Sequence, residues 1–480
     1  MEIAGGPAIR ATAVERVAQA ACRVAEAAAP DDPRPGWHLL DWLGCAAHGA
    51  GSQIGHAFAQ WLSWQGAGTS PTLAGRSADA ASAAAYHGSL GSTLEMDDVH
   101  RSSILHPGPV VLPAVLAALP VQATGQQLLR GLIAGYEAMI RIGRTLGPAH
   151  YRHWHTTGTA GSFGAAAGAA VAMGLPCAQV AQALALAGTR AGGLWQLRHE
   201  RSLGKAWHMA GAARDGLAAA QLAACGLTGP LGILEGPSGW LAATAEGADA
   251  AVADEDAVAG DATRPWLADV SFKPWPACRH AHPAMDALRQ AAADAGRALR
   301  AEDILRIEAH VYDDALRFCE RRHPQDSAQA RFSLPHALAA WVLRGEAQLA
   351  HYETAALQDP QIHALRERVE LQRDAAIQAR FPRHYGARVV IHWREGAPSV
   401  AELRDTLGDP DRPMRPRQLQ AKARGLMQAA GWSAARIDAA VAACEGLARA
   451  PDLRALHRVL MPASGEAPAS LSPTPGIASR

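Results

Sequence analysis

Residues Gly158–Leu175 read GTAGSFGAAAGAAVAMGL, a run made largely of alanine and glycine. The run contains few of the leucine, isoleucine and phenylalanine side chains that drive insertion into a bilayer, and Ser162 lies inside it. Side chains this small allow neighbouring helices to approach closely. The run therefore predicts a buried helix of a soluble, mainly helical protein.

The chain on both sides of this run has a helical pattern from Thr12 to about Thr244. Glycines and prolines, such as Gly174 and Pro176, separate the segments. The predicted helices are Ala13–Ala28, Trp37–His48, Ala80–Leu90, Val110–Leu119, Gly125–Leu146, Thr159–Met173, Ala178–Ala187 and Met209–Cys225. This part of the chain is therefore expected to form an all-helical domain.

The pattern changes near Asp269, where strands and helices begin to alternate. Ile304–Val311 has the period of two that is typical of a half-buried strand. The other predicted strands are Val270–Lys273 and Ala387–Trp393, and the predicted helices are Pro283–Ala293, Leu334–Val342, Pro360–Arg368, Gln418–Ala430 and Ala434–Ala448. The expected fold is mostly α, with a large all-helical domain built from both chain ends and an inserted, smaller α+β domain.

The expected bounds of these domains follow from the change of pattern. The helical domain is placed at residues 10–266 plus 411–461, and the α+β domain at 267–410. Residues 1–9 and 462–480 have linker composition, so they are expected to be flexible tails.

Composition excludes some classes of function. The chain has 480 residues, with 45 Lys+Arg and 45 Asp+Glu, so its formal net charge is zero. Proteins that bind nucleic acid or anionic membranes need a basic face, so neither partner is expected. Seven scattered cysteines without C-x-x-C spacing argue against a disulfide framework or a zinc knuckle. No secretory signal is visible, and a cytoplasmic location is expected.

Three histidines, His106, His155 and His282, each precede a predicted helix. Proline follows His106 and His282 and suits the first helical position, while Thr156 and Thr157 are predicted N-caps after His155. Helix N-termini favour carboxylates and phosphates, and histidine titrates near neutral pH. The pattern therefore predicts a site that handles an anionic substrate by proton transfer.

The segment that precedes His106 carries Glu95, Asp97 and Asp98. These carboxylates can serve acid–base chemistry, cap the next segment of a solvated loop, or chelate Mg²⁺ or Ca²⁺. The spacing of His150, His153 and His155 likewise leaves open zinc binding or hydrogen bonds in a polar loop. No metal site is expected from either group, because neither has enough further ligands nearby in sequence.

Lysines lie near two of the predicted helix starts. Lys205 and His208 share one face of a helix with small residues, where partial burial would lower the pKa of the lysine. Lys273 begins a second segment that carries Cys278 and Arg279 before His282. Cys278 is interpreted as a nucleophile or as a packing residue.

These segments together resemble the MmgE/PrpD family over roughly residues 10–460. The motifs that carry the resemblance are Asp97-Asp98…His106-Pro107, Gly135-Tyr136-Glu137…Arg141-Ile142-Gly143, His155-Thr156-Thr157-Gly158-Thr159…Phe163-Gly164-Ala165-Ala166-Ala167, Thr228-Gly229-Pro230…Ile233-Leu234-Glu235-Gly236, Lys273-Pro274…Arg279-His280-Ala281-His282-Pro283 and Arg331-Phe332-Ser333-Leu334-Pro335. The family includes 2-methylcitrate dehydratase, cis-aconitate decarboxylase and iminodisuccinate epimerase. The resemblance implies a helical domain with a smaller α+β lid, a site between them, no metal or organic cofactor, and a homodimer.

By motif, His106, His155 and Lys205 resemble the family's active-site histidines and lysine, and Lys273 resembles its substrate-side lysine. Cys278 occupies a position that is histidine in decarboxylase-like members. In dehydratase-like and decarboxylase-like members, an acidic residue and a spacer precede an Asp/Asn-Asp-Thr run. In this chain Glu95 occupies the position of the first acidic residue of that run, and Val99 occupies the position of the threonine, so the threonine hydroxyl is absent.

The expected function is that of a cofactor-independent lyase, similar to 2-methylcitrate dehydratase, which acts on a small anionic di- or tricarboxylate. The expected catalytic residues are His106, His155 and Lys205, and the expected substrate-binding residues are Glu95, Asp97, Asp98, Lys273, Cys278, Arg279 and His282. An epimerase or isomerase, a cis-aconitate decarboxylase-like enzyme, a metal-dependent hydrolase and a non-catalytic metabolite-binding protein remain as alternatives. The sequence leaves the substrate open.

Overall fold

The computed structural model describes residues 11–200, 202–244 and 264–461, and the predicted tails at 1–9 and 462–480 lie outside them. The chain divides into two compact units. The helical unit comprises the described residues of Met1–Thr93, Ser103–Asp269 and Ala423–Arg480. The α+β unit comprises Leu94–Ser102 and Val270–Lys422.

The α+β unit ends at Lys422 and not at 410, so residues 411–422 differ from the predicted domains at 10–266 plus 411–461 and at 267–410. The segment Leu94–Ser102 is the other main difference. It belongs to the α+β unit, where Val99–His100 pairs in antiparallel orientation with Val270–Ser271. A pairing between strands this far apart in sequence has no local signature.

The helical unit consists mainly of long helices. Its helices are α1 Ala13–Ala27, α2 Arg34–Ala50, α3 Gln53–Leu62, α4 Ala80–Leu90, α5 Gly108–Ala118, α6 Gly125–Thr145, α7 Pro148–His153, α8 Thr156–Ala172, α9 Cys177–Gly188, α10 Lys205–Ala224 and α11 Trp240–Thr244. Strands β1 Ser70–Pro71 and β2 Ser77–Ala78 form a small antiparallel pair. Each helix predicted before Thr244 is present, α4 with the predicted bounds and the others with ends shifted by a few residues, whereas the sequence analysis did not predict α3, α7 or α11.

Helix α8 confirms the prediction of a closely packed, buried helix. A Cβ atom added at Gly164 would lie 2.5 Å from the Cβ of Met139 and 2.9 Å from the carbonyl oxygen of Gly135, both in α6. A Cβ atom added at Gly216 of α10 would lie 2.4 Å from the Cβ of Ala165. These separations are shorter than real side chains tolerate, so glycine is needed for α6 and α10 to pack against α8. Among the described residues, no helix has both the length and the apolar character needed to cross a membrane.

The α+β unit is built on short strands and helices. Its strands are β3 Val99–His100, β4 Val270–Ser271, β5 Ile304–Val311, β6 Val369–Arg373, β7 Ala387–Trp393 and β8 Ser399–Leu403. Its helices are α12 His282–Asp294, α13 Asp313–Cys319, α14 Ser327–Ala330, α15 Leu334–Arg344, α16 Thr354–Leu357, α17 Pro360–Arg366 and α18 Ala375–Arg380. Helix α19 Pro416–Ala429 includes the last residues of this unit, and α20 Ala434–Glu445 and α21 Arg454–Leu460 belong to the helical unit. The mostly helical fold class is confirmed.

Four of the strands form a mixed sheet in the order β6-β5-β7-β8. Strand β5 pairs in parallel with β6 and in antiparallel orientation with β7, so that Ile307 faces Val369 on one side and Ile391 on the other. These three side chains are fully buried, as are Met285 and Leu288 of α12. Strands β5 and β7 have the bounds that the alternating sequence predicts.

The starts of α8 and α12 differ from the prediction. His155 itself is the N-cap of α8, without a side-chain capping bond, and Thr156 is the first helical residue. His282 is the first residue of α12, with φ −58° and ψ −41°, although Pro283 follows it. A 3₁₀ turn at Arg279–Ala281 leads the chain into α12.

Candidate active site

The helical unit brings two of the predicted site histidines to the N-terminal end of α8. His106 lies two residues before α5, and its backbone N–H donates to Thr157 Oγ1 at 3.1 Å. His155 caps α8, two residues before Thr157, and its backbone N–H donates to the Gly193 carbonyl oxygen at 2.8 Å. The threonine that the sequence suggested as a cap therefore ties the His106 segment to the start of α8.

The imidazole of His155 contacts two further rings. Its Nδ1 lies 3.2 Å from Nδ1 of His208, and its ring centroid lies 4.3 Å from that of Trp195. His155 is buried, whereas His208 is half-buried in the first turns of α10. The sequence identified His208 only as a helical neighbour of Lys205. Its pairing with His155 crosses 53 residues and is not visible in either segment.

Lys205 is the first residue of α10 and precedes His208 by three residues. Burial, followed by the positive charge of Lys205, lowers the pKa of His208 below its ordinary value. Burial and the charge of Lys205 thus both disfavour the protonated form of His208. We call His106, His155, Lys205 and His208 the histidine cluster.

The other histidines of this segment do not join a metal site. His150 is buried, and its two ring nitrogens lie 2.9 Å from Thr159 Oγ1 and 3.0 Å from Thr244 Oγ1. Burial lowers the pKa of His150 to about 4. His153 is exposed. The structure therefore favours the interpretation of His150 as a hydrogen-bonded structural residue over zinc binding.

The α+β unit gathers a second group of predicted site residues around Lys273, whose side chain is 0% exposed. Its Nζ lies 3.2 Å from Asp97 Oδ1 and 3.7 Å from Glu95 Oε2. Glu95 has a left-handed backbone conformation, with φ of 55°, and Asp98 is also buried. The charge of Lys273 is thus balanced by two carboxylates of one short loop.

Cys278 belongs to the same group. The buried thiol of Cys319 donates a hydrogen bond to it, which lowers the pKa of Cys278, and the positive charge of Lys273 acts in the same direction. The pKa of Cys319 is raised in turn, mainly by this hydrogen bond and by burial. We call Glu95, Asp97, Asp98, Lys273 and Cys278 the lysine cluster.

Arg279 and His282 are both engaged by protein groups. Arg279 donates from Nη2 to Asp409, and its Nη1 lies 3.4 Å from Nδ1 of His282. His282 Nε2 donates to the carbonyl oxygen of Ala277 at 3.0 Å. Burial, and then the charge of Arg279, hold the pKa of His282 well below its ordinary value. These contacts make Arg279 and His282 supports of the 277–282 turn, a role that the sequence did not suggest.

A third lysine extends the lysine cluster. The sequence contains three lysines, Lys205, Lys273 and Lys422. Lys422, which sequence reasoning did not single out, donates from Nζ to the carbonyl oxygen of Met96 at 2.5 Å. Met96 lies between Glu95 and Asp97 in sequence, so Lys422 anchors the loop that surrounds Lys273.

Among the described residues, one group has the geometry of a metal site. Ligand atoms of His384, Asp405 and Asp411 lie within 4.8 Å of one another. However, Arg101 Nη1 lies 2.9 Å from Asp405 and Nη2 lies 3.1 Å from Asp411, and Arg404 Nε lies 2.7 Å from Asp405. Two guanidinium groups already neutralise these carboxylates, so the arrangement is an ion-pair network and fits a cation poorly.

The Glu137–Arg141 pair in the Gly135–Gly143 motif forms a buried structural contact. Glu137 and Arg141 are both 0% exposed, and their side chains form an ion pair at 2.5 Å. The second oxygen of Glu137 accepts the backbone N–H of Trp266 at 2.9 Å. The motif therefore ties Trp266, at the end of the helical unit's long middle segment, to α6.

Comparison with known proteins covers most of the chain. The model of the MmgE/PrpD N-terminal domain matches residues 34–253, and that of the MmgE/PrpD C-terminal domain matches residues 275–446. The chain is similar to cis-aconitate decarboxylase from Mus musculus, with 29% identity over 351 residues, 70% of each chain, and from Homo sapiens, with 27% identity over 352 residues, again 70% of each. A cis-aconitate decarboxylase-like protein of Aspergillus oryzae is 36% identical over 157 residues, 31% of this chain and 32% of that protein. With both of its domain models matched in order, this chain belongs to the MmgE/PrpD family.

Proposed function

We propose that the protein is a cofactor-independent lyase that acts on a small di- or tricarboxylate by proton transfer next to a carboxylate. The observation that carries the proposal is the imidazole pair of His155 and His208, which lies one helical turn from Lys205. This chemistry needs a group that transfers a proton, here an imidazole, and a cation that stabilises negative charge, here the lysine ammonium. The names of the relatives, which describe decarboxylation of cis-aconitate, support a carboxylate substrate.

The two candidate lyase reactions pass through intermediates of the same kind, with negative charge next to a carboxylate. In elimination, a base removes the proton next to a carboxylate, the electron pair moves into an enediolate-like system, and hydroxide leaves with a proton as water. In decarboxylation, the carbon–carbon bond to one carboxylate breaks, carbon dioxide leaves, and the remaining carbanion is protonated. In both reactions negative charge develops next to a carboxylate, where a preorganised cation stabilises it most.

We assign this chemistry to the histidine cluster. His106 and His155 exchange the protons, one as base and the other as acid, and Lys205 stabilises the charge that develops. The tie between the His106 backbone and Thr157 supports a shared role, because it fixes both histidine segments to one helix end. The alternative of a non-catalytic binding protein would leave this arrangement of histidines and lysine without a function.

We assign substrate binding to the lysine cluster, namely Glu95, Asp97, Asp98, Lys273 and Cys278. Because Lys273 is already paired with two carboxylates, we expect it to contribute less attraction to an anion than an isolated lysine would. Arg279 and His282 are also proposed to bind substrate, and their contacts with Asp409 and Ala277 hold the 277–282 turn. A homodimer and a cytoplasmic location remain predictions, and light scattering of the purified protein tests the first.

The identity of the substrate is tested by incubating the purified protein with 2-methylcitrate, cis-aconitate and iminodisuccinate in D₂O under proton NMR. Loss of water from methylcitrate would identify a dehydratase, and loss of carbon dioxide from cis-aconitate would identify a decarboxylase. Exchange of the carbon-bound proton of iminodisuccinate without net elimination would identify the alternative, an epimerase. No turnover of any di- or tricarboxylate would contradict the proposal.

A further inference from the structure

The imidazoles of His155 and His208 face each other through their Nδ1 atoms at 3.2 Å. In a neutral imidazole one ring nitrogen carries the proton and the other a lone pair. At this distance two N–H groups, or two lone pairs, would repel each other. One ring must therefore donate its Nδ1 proton and the other must accept it, so that the tautomers of the two rings are coupled.

We propose that His208 is a positioning residue for the reaction: it accepts the Nδ1 proton of His155 and thereby leaves the Nε2 lone pair of His155 as the general base. This inference rests on the proposed function and deepens it. When Nε2 of His155 takes a proton from the substrate carbon, the Nδ1–H···Nδ1 bond to His208 becomes charge-assisted and stabilises the imidazolium. His208 keeps its own proton on Nε2.

The surroundings favour this direction of the hydrogen bond. His155 is buried, and Trp195 contacts its ring, so the orientation of the ring is restricted. His208 is the more exposed of the two rings, which suits a tautomer with the proton on Nε2. In that tautomer the Nδ1 lone pair of His208 is able to accept the proton of His155. Lys205 opposes a positive charge on His208, which keeps the transferred proton on His155.

Glycines make room for the ring of His208. A Cβ atom added at Gly193, which has φ of +127°, would lie 3.1 Å from Cγ and 3.2 Å from Nδ1 of His208. A Cβ atom added at Gly158 would lie 3.3 Å from the Cβ of His208 and 2.5 Å from the carbonyl oxygen of Gly192. The backbone of Gly193 also accepts the N–H of His155. The segments that contain Gly158 and Gly193 therefore fix the positions of both imidazoles relative to each other.

The test compares two replacements of His208. His208→Leu removes the acceptor at similar size, whereas His208→Asn can place its amide oxygen near the position of Nδ1. We expect His208→Leu to lower kcat by about 10²-fold, with KM changed less than about twofold, and His208→Asn to recover at least about tenfold of that loss. His153→Asn, which removes an exposed histidine two residues from His155, is the matched control and should leave both constants unchanged.

A second readout is independent of the substrate. The readout is the ¹⁵N NMR spectrum of protein with labelled histidine. The signals of His155 are assigned by their absence in His155→Asn, and they should show that Nδ1 carries a proton and Nε2 does not. In His208→Leu they should change to the opposite tautomer. An unprotonated Nδ1 at His155 in the wild-type protein would overturn the inference, even if His208→Leu failed to fold.

The outcomes separate this inference from the proposed function. If His155→Asn is inactive while His208→Leu keeps wild-type kcat and the wild-type tautomer, only the role of His208 is overturned. If His155→Asn itself retains full kcat, the assignment of His155 as base fails, and the proposed function fails with it.

Discussion

Replacement of Lys273 by methionine tests the charge balance of the lysine cluster. Coulomb's law at an effective dielectric constant of about 20 gives an attraction of about 5 kcal/mol for the ammonium and Asp97 at 3.2 Å, and about 4 kcal/mol for the ammonium and Glu95 at 3.7 Å. Desolvation of the three buried charges offsets much of this attraction. The net contribution of the lysine is therefore smaller than the sum.

Loss of the lysine alone is more costly than loss of the whole group. Lys273→Met leaves two buried carboxylates of like charge without the ammonium between them. We expect the free energy of unfolding to fall by about 3–5 kcal/mol, the range found when one partner of a buried ion pair is removed. Methionine has nearly the size of lysine, so the loss reflects charge and not a cavity.

Urea unfolding followed by tryptophan fluorescence measures this effect, since Trp275 is buried in the same unit. The matched variant is Lys273→Met with Asp97→Asn, in which one of the two carboxylates is also neutralised. We expect the double variant to be more stable than Lys273→Met alone by about 1 kcal/mol or more. A single variant within 1 kcal/mol of the wild type, or strictly additive losses in the double variant, would refute the idea that the carboxylates depend on Lys273.

Four further predictions concern catalysis and stability. His106→Asn and His155→Asn should each lower kcat by about 10²-fold or more, and wild-type turnover of the true substrate by both would exclude them as acid and base. Lys205→Met should lower kcat as well as raise KM, because it meets charge that develops in the transition state, and a change in KM alone would show ground-state binding. Activity should survive exhaustive chelation; loss with EDTA and recovery with one particular metal would contradict this. Because the pKa of His150 is about 4 when folded and near 6.5 when unfolded, stability should fall as pH decreases from 6.5 to 4, and His150→Asn should show a shallower fall in urea titrations over that range.

The long elements could be predicted from sequence because their periodicity is local. The bounds of β5 and β7 follow from alternating apolar residues, and α4 has the predicted bounds Ala80–Leu90. Strand β6, Val369–Arg373, was missed because it is short and follows directly after a segment with a helical pattern, although its sequence alternates between apolar and polar residues. Such an edge strand forms through its hydrogen bonds with β5, which the local sequence does not encode.

The candidate site divides in the same way. Motifs and helix starts singled out His106, His155 and Lys205, because proline, threonine and small residues mark those positions. The side chains that contact the candidate site residues were not predicted as partners, since His155 with His208 and Cys278 with Cys319 join segments that are distant in sequence and carry no shared motif. Single-sequence patterns single out candidate site residues, whereas the hydrogen-bond partners of these residues depend on tertiary contacts.

Because the chain has so few lysines, chemical labelling of its amines can be followed residue by residue. Amine-reactive reagents have only Lys205, Lys273 and Lys422 as side-chain targets, apart from the terminal amine. Lys205 and Lys422 are half-buried, whereas Lys273 is fully enclosed, so acylation of the folded protein should reach the first two well before the third. Mass spectrometry would measure the acylation of each lysine over time. Slower acylation of Lys205 with substrate present would report protection by the substrate, and acylation of Lys273 would report opening of the α+β unit.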